Sequence, residues 1–245
     1  MLHHWLQTGL ATTLLLSSIN AQETPEVVFD CSVTPYACTN MCWGAYCSNY
    51  EVSLNFDAPS DATKTQRRKK AGCKPNPNRC NPPNNKNDPT NNSCDEYPFA
   101  STSNADDVQA VTRCIPAGDN NSQGGTLSSF YKNTLNGNAG DFIVGFGNPD
   151  DPNTQYCESG DQCINDGKQY LGTQLAPNGT QSKIKHKRNY YMLESGMPFL
   201  STRELEEGTV VKKVIKRSNA EMTLMKRGGQ DPYELVDDVV RARLE

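Results

Sequence analysis

Two carboxylates stand side by side at Asp95 and Glu96, in "CDEYPFAS" (94–101). Adjacent residues on a strand point to opposite faces. The pair therefore cannot flank one sugar as a glycoside hydrolase requires, with its acids ~5–9 Å apart. It suits metal-assisted phosphodiester hydrolysis better: one acid deprotonates a water, and the other braces a basic residue or a metal-bound water. Downstream, "DNNSQGG" (119–125) offers Asp119, Asn120 and Gln123 at the expected start of a helix. An amide oxygen there can hold Mg²⁺ or Ca²⁺ without quenching its charge, and a helix amino terminus favours phosphate. An ordinary helix cap is the commoner use of such an Asn.

Other chemistries lack their central residue. Past residue 22 the single histidine is His186, inside the basic run "KIKHKR". A Ser-His-Asp or Cys-His nucleophile and a histidine-ligated zinc enzyme are thus excluded. "GFGNPD" (145–150) does not open a helix and is no dinucleotide loop. The remaining tools are carboxylates, amides and an oxygen-ligated divalent cation.

The cysteines set the compartment. All ten (Cys31, Cys38, Cys42, Cys47, Cys73, Cys80, Cys94, Cys114, Cys157 and Cys163) precede residue 164. "MLHHWLQTGLATTLLLSSINAQ" reads as a signal peptide over residues 1–21, and no later stretch has the ~20 apolar residues of a membrane span. An even cysteine count in a secreted chain implies five disulfides. Cys157–Cys163 across "CESGDQC" and Cys94–Cys114 between adjacent strands are the expected pairs.

Several elements follow from pattern. "YEVSLNF" (50–56) alternates as a half-buried strand, whereas 65–94 reads as a long polar loop that disulfides must pin. Within that loop "RRKK" (67–70) is either a phosphate patch or, more commonly, a solvated or protease-cleaved basic run. "VQAVTRCIP" (108–116) reads as a strand, 117–126 as a turn, "LSSFYKNTL" (127–135) as an amphipathic helix and "DFIVGF" (141–146) as a buried strand. Residues 22–180 carry 11 Lys or Arg against 18 Asp or Glu, and residues 181–245 carry 13 against 10. The acidic part gains no general attraction to nucleic acid. The cysteine-free 181–245 segment reads as a loosely packed, basic extension with some helix near "PYELVDDVVRARLE". Its dibasic pairs suggest trimming after Arg188.

With these residues in hand, "CDEYPFAST" followed by "RCIPAGDNNSQGGTLSSFY" resembles the NucA/NucB-type secreted deoxyribonucleases. The resemblance rests on Asp95, Glu96, Tyr97, Pro98 and Ala100, then Arg113 and Pro116, then Asp119, Asn120 and Gly124, then the closing strand "DFIVGF", and covers about residues 90–147. It implies an α+β fold: a small, disulfide-rich ββα-metal-type nuclease core within 22–180, a loop-rich amino-terminal part and the loose 181–245 tail. It further implies Asp95 as general base, Asn120 as metal ligand, and Glu96 holding Arg113 or a metal-bound water. The cofactor would be Mg²⁺ or Mn²⁺, with Ca²⁺ as a further option. The substrate would be DNA, single- or double-stranded, cut without sequence preference by a secreted monomer that needs no membrane. Asn91 and Asn178 begin glycosylation sequons. Asn120 begins a third, and a glycan there would remove the proposed ligand. The rival reading is a non-enzymatic, cysteine-rich secreted effector or surface protein with an inactive nuclease core. The intact set of Asp95, Glu96, Arg113 and Asn120 argues against it.

Overall fold

The structure is a computed structural model that describes residues 23–86, 88–179, 186–216 and 233–244. The expected signal peptide and the dibasic pair Lys226-Arg227 lie outside the described residues. The chain begins with strand β1 (Glu26–Asp30) and helix α1 (Pro35–Cys42), which runs on as a π-helical turn over Trp43–Cys47. Strand β2 (Ser53–Phe56), helix α2 (Asp61–Ala71), strand β3 (Ser93–Tyr97), the single turn α3 (Asn104–Asp107), strand β4 (Val111–Ile115) and helix α4 (Ala117–Asn133) follow. Then come strands β5 (Gly140–Gly147), β6 (Gln169–Leu171), β7 (Gln174–Leu175), β8 (Asn189–Leu193), β9 (Pro198–Ser201), β10 (Val210–Lys216) and β11 (Tyr233–Leu244).

These strands form two sheets. The larger closes on itself in the order β1-β10-β11-β8-β9-β5, because β1 pairs in parallel with both β10 and β5. Strand β2 attaches to the first half of β5, from Ser53 opposite Ile143 to Phe56 opposite Gly140. Closure leaves no unpaired edge around the ring. The smaller sheet runs β3-β4-β6-β7, with β3 at its edge. Between the sheets lies a core built on Phe29, Trp43, Tyr46, Tyr97, Phe130 and Phe142, all buried. A second cluster, including Val28, Tyr191, Phe199 and Val240, belongs to the barrel strands.

The expected α+β architecture with a ββα-metal core is therefore corrected: the fold is mostly β, around a closed six-strand barrel. The strand-helix-strand order of β4, α4 and β5 is present, but β5 leaves for the barrel and no separate three-element core results. The loose tail is corrected with it. Four of the barrel strands, β8 to β11, come from residues 189–244, and "YELVDDVVRARL" is strand, not helix.

Two helices also differ from the sequence reading. The run "DATKTQRRKKA", expected as loop from Thr65 onward, is α2. Ser60 caps its start by accepting from Thr63 N–H at 3.1 Å, and Gly72 ends it with φ +84. Its buried residues are Arg67 and Ala71, so it shows no apolar stripe. Arg67 is held by Asp57 and Asp106. Helix α4 begins ten residues earlier than expected and carries Gly124 and Gly125 inside it. Gly125 lets Tyr233 of β11 lie directly on the helix, where a Cβ would collide with the ring.

Five disulfides are present and use all ten cysteines, but the two expected pairs are not among them. Cys157 and Cys163 bond instead to Cys42 and Cys47, which fastens the 157–163 loop to α1 and the π turn. Cys94 and Cys114 do face each other across β3 and β4. Each turns away to the apolar-poor segment after α2, as Cys73–Cys94 and Cys80–Cys114, so one loop is clamped to both strands. Cys31–Cys38 closes the entry to α1.

The proposed cut after Arg188 meets a side chain already engaged. Its guanidinium donates to Cys157 O at 2.9 Å and Tyr156 O at 3.2 Å and lies 4.1 Å from the Tyr46 ring centroid. A chain ending at Arg188 would lack four barrel strands, leave β1 unpaired on one edge and strip β5 of its β9 partner at Phe146 and Gly147. Such a fragment should not give a cooperative thermal unfolding transition, whereas the full chain should. A soluble 23–188 fragment with a sharp transition near that of the full chain would show that the barrel is dispensable.

Candidate active site

Strand β3 presents its acids in the alternation that the pleat dictates. Asp95 points inward and is 1% exposed. Glu96 points the other way, onto an open cleft of about 490 Å³. Arg68 and Lys74, from the end of α2 and just beyond it, line the same cleft, with Asn120 and Asn121 from the first turn of α4. Glu96 keeps 14% of its side chain exposed and pairs with Arg68 at 3.3 Å. Burial pushes the Glu96 carboxyl above its ordinary range, and Arg68 offsets part of that rise.

Asn120 is fixed against the strand edge. Its Nδ2 donates to Ser93 Oγ at 2.7 Å and to the Cys94 carbonyl at 3.2 Å. Both amide hydrogens are thereby used, which sets the orientation of the opposite atom, Oδ1. The same contacts occupy the nitrogen that a glycan would need. Asp119 serves a different end: its Oδ2 accepts from Tyr36 N–H at 3.2 Å and so ties α4 to the start of α1.

Asp95 follows Cys94, whose carbonyl Asn120 contacts, and lies in a seam between β3, α1 and α4. Asn40 Nδ2 donates to its Oδ2 at 2.8 Å. The Gln123 amide is near enough to favour the charged carboxylate, yet its Nε2 has no formed hydrogen bond, and neither has Asn40 Oδ1. Burial raises the Asp95 pKa well above the usual carboxylate value, the neighbouring Glu96 charge raises it further, and the two amides offset only part. Arg113 stands opposite Asp95 in the β3–β4 register. Its guanidinium turns instead to Asp166, in two contacts of 3.0 and 2.6 Å. Glu96, expected to hold Arg113 or a metal-bound water, pairs with Arg68, and Arg113 pairs with Asp166.

Of the sequence-derived site residues, Glu96 and Asn120 share the cleft, Asp95 lies behind them, and Arg113 faces away. Sequence reasoning missed Asn40 and Lys74. Within "RRKK", one reading of which is a phosphate patch, Arg68 reaches the cleft, whereas Arg67 is structural. Asn91 Nδ2 donates to Asp88, and Asn178 is exposed. His186 is far along the fold, bonded to Tyr50 O at 2.8 Å.

The decisive comparison is with protein families. Residues 41–144 match the family model for deoxyribonuclease NucA/NucB. The resemblance drawn from the 90–147 motif is thereby shown, over a wider stretch than the motif itself. The match runs from the end of α1 into β5 and contains Asp95, Glu96, Arg113 and Asn120, whereas β1 and β6 to β11 lie beyond it. The NucA/NucB family indicates a nuclease with DNA as substrate. Neither the curated proteins nor the solved structures yield a match to the chain.

Among the described residues no three His, Cys, Asp or Glu come together as a metal cage. Mg²⁺ does not need one: it keeps several waters and uses one or two carboxylates together with substrate phosphate oxygens. Glu96 and the Asn120 amide oxygen, on a cleft open to phosphate, fit that pattern.

The raised carboxyl pKa values make a stability statement. The folded state binds the protons of Asp95, Glu96 and the barrel residue Glu26 more tightly than the unfolded chain does. Stability from these groups is complete below the unfolded pKa, about 4, and is lost as pH rises through the folded values. Asp95→Asn removes the most strongly shifted charge. It should raise Tm at pH 8, by roughly 2–4 °C per kcal/mol recovered, and flatten the fall in Tm above pH 5. A lower Tm at pH 8, with an unchanged slope, would contradict this electrostatic account.

Proposed function

We propose that the chain is a secreted, metal-dependent deoxyribonuclease that hydrolyses DNA phosphodiester bonds without sequence preference. The observation that carries this reading is the juxtaposition, inside the family-matched segment, of the acid pair of β3 with Arg68, Lys74 and the amino end of α4. Phosphodiester hydrolysis requires neutralisation of the phosphate, a deprotonated water and a stabilised leaving oxygen. Arg68 and Lys74 supply fixed positive charge on the cleft wall, and the first turn of α4 adds its own partial charge. Asn120 Oδ1 and the Glu96 carboxylate would hold Mg²⁺ or Mn²⁺, which when bound supplies Lewis-acid stabilisation of the phosphate and leaving oxygen. Five disulfides support secretion. No helix among the described residues is long and apolar enough to cross a membrane.

The base comes from the acid pair. Asp95 takes the role in the first reading: its surroundings keep its proton affinity high, and Asn40 Oδ1 and Gln123 Nε2 beside it are free to hydrogen-bond a water. For that water to meet a phosphate, the seam at Asn120 and Ser93 must part. A second reading gives the role to Glu96, because it is the acid that opens onto the cleft.

Plasmid DNA with Mg²⁺ or Mn²⁺ should be cut by the purified protein, and EDTA should stop the reaction. Asp95→Asn should lower the rate by about 100-fold or more, the scale of a lost general base. Asn120→Ala should lower it too, with partial recovery at high Mn²⁺. Near-normal cleavage by Asp95→Asn, beside an inactive Glu96→Gln, would transfer the base role to Glu96. No metal-dependent cleavage by the unaltered protein would remove the proposal.

A further inference from the structure

The cleft does not end at Arg68. A second hollow, of about 580 Å³, continues from it, and Arg68 and Gly124 line both. Its floor is a pair of stacked rings: Phe56, at the end of β2, lies parallel to Tyr131 of α4, with centroids 3.9 Å apart and planes 9° apart. The Tyr131 hydroxyl is tied to Ser101 at 2.9 Å, which fixes the inner ring, while Phe56 is only half-buried. Lys64 and the exposed Lys132 stand on the walls. The Lys64 partner, Asp61, is 96% exposed, so that pair gives way to a competing anion at little cost. A second cleft continuous with the first, rimmed by cations over an aromatic floor, combines the two features that sequence-tolerant single-strand binding uses: charge along the backbone and rings for the bases.

Gly124 points the same way. Glycine inside a helix is destabilising relative to alanine. Gly125 has a reason within the protein, the Tyr233 ring. Gly124 has none: a Cβ there would meet nothing within 4 Å. It sits where the two hollows join, and a side chain would project into that passage.

Building on the nuclease reading, we propose that this hollow is a subsite for unpaired nucleotides flanking the scissile phosphate. A base stacks on the Phe56–Tyr131 pair, its phosphates lie along Lys64, Arg68 and Lys132, and the strand passes over Gly124. The occupant is a single strand, because a base paired inside a duplex has no free face to offer the rings. The enzyme consequently gains rate from nucleotides beyond the bond it cuts and favours single-stranded or frayed DNA over a blunt duplex.

The test uses the full chain with Mg²⁺ and labelled oligodeoxynucleotides from two to twelve residues. For the unaltered protein kcat/KM should rise with length and then level off. The ratio of twelve-mer to dimer kcat/KM should fall at least about 5-fold in Phe56→Leu, a lower bound from the usual weight of base–ring stacking. Lys132→Ala should reduce the slope of log KM against log salt by about 0.7, the value for one single-strand phosphate contact. Gly124→Gln is the decisive variant, since a structural role and a binding role move it in opposite directions. It should raise Tm while lowering the same length ratio. A rate independent of length, or variants with unaltered ratios and salt slope, overturns the subsite and leaves the nuclease reading standing. If the unaltered protein cuts nothing, fluorescence anisotropy with the labelled twelve-mer decides the subsite separately. Binding weakened by Phe56→Leu and Gly124→Gln supports it, and no binding overturns it.

Discussion

A carboxylate with almost no contact with water is the constraint on which the arrangement around β3 depends. Asp95 is costly to bury as an ion, and the elements packed against it supply the compensation. Asn40 reaches it from α1 and Gln123 approaches from α4. Both helices are in turn held where those amides can arrive. Asp119 joins α4 to the start of α1, while Cys31–Cys38 and Cys42–Cys157 fix the two ends of α1. The compensation is incomplete, since two amide atoms remain unpaired and the carboxyl pKa stays high. A fold that needed only stability would have placed an apolar residue there. This under-compensated acid is the group to which the proposed nuclease reading assigns proton transfer.

The barrel acts on this site at one remove. Strand β1 joins the family-matched segment to strands from the end of the chain, and β11 lays Tyr233 on α4 beside Gly125. The helix that carries Asn120 and Gln123 is therefore packed from the barrel side as well as against β3. The two bridges that span more than a hundred residues, Cys42–Cys157 and Cys47–Cys163, fasten the same region from a third direction. In the chain-entropy account, a lone bridge closing a loop of that length stabilises by about 4–5 kcal/mol, and the second, with the first in place, closes only the short ring through residues 42–47 and 157–163 and adds less.

What could be read from sequence was local. The acids of β3, the strand β4, the later part of α4, the strand β5 and the presence of five bridges all follow from residue types in short windows. The misreadings share a cause, which is partners distant in the chain. Helix α2 buries an arginine between Asp57 and Asp106, so its inward face has no apolar period to detect. The Gly124-Gly125 pair has the composition of a turn, and only the ring of Tyr233, over a hundred residues on, explains why one of them sits inside a helix. The strand β11 gains its place from β10 and β8, and its few buried positions leave the pattern ambiguous between strand and helix. Within the site, alternation along β3 correctly separates Asp95 from Glu96. The partners of each, Asn40 and Arg68, come from helices whose position no spacing rule reveals.

In the proposed mechanism the ionisation of Asp95, the carboxyl that burial raises well above its ordinary range, drives cleavage. The pH dependence of kcat/KM for oligonucleotide cleavage, at saturating Mg²⁺, tests it most directly. The rate should climb with pH along a single limb, with an apparent pKa above the ordinary carboxylate range near 4, and that limb should be lost in Asp95→Asn. A rate already level from pH 5 to pH 8, or a limb that survives intact in Asp95→Asn, would contradict it.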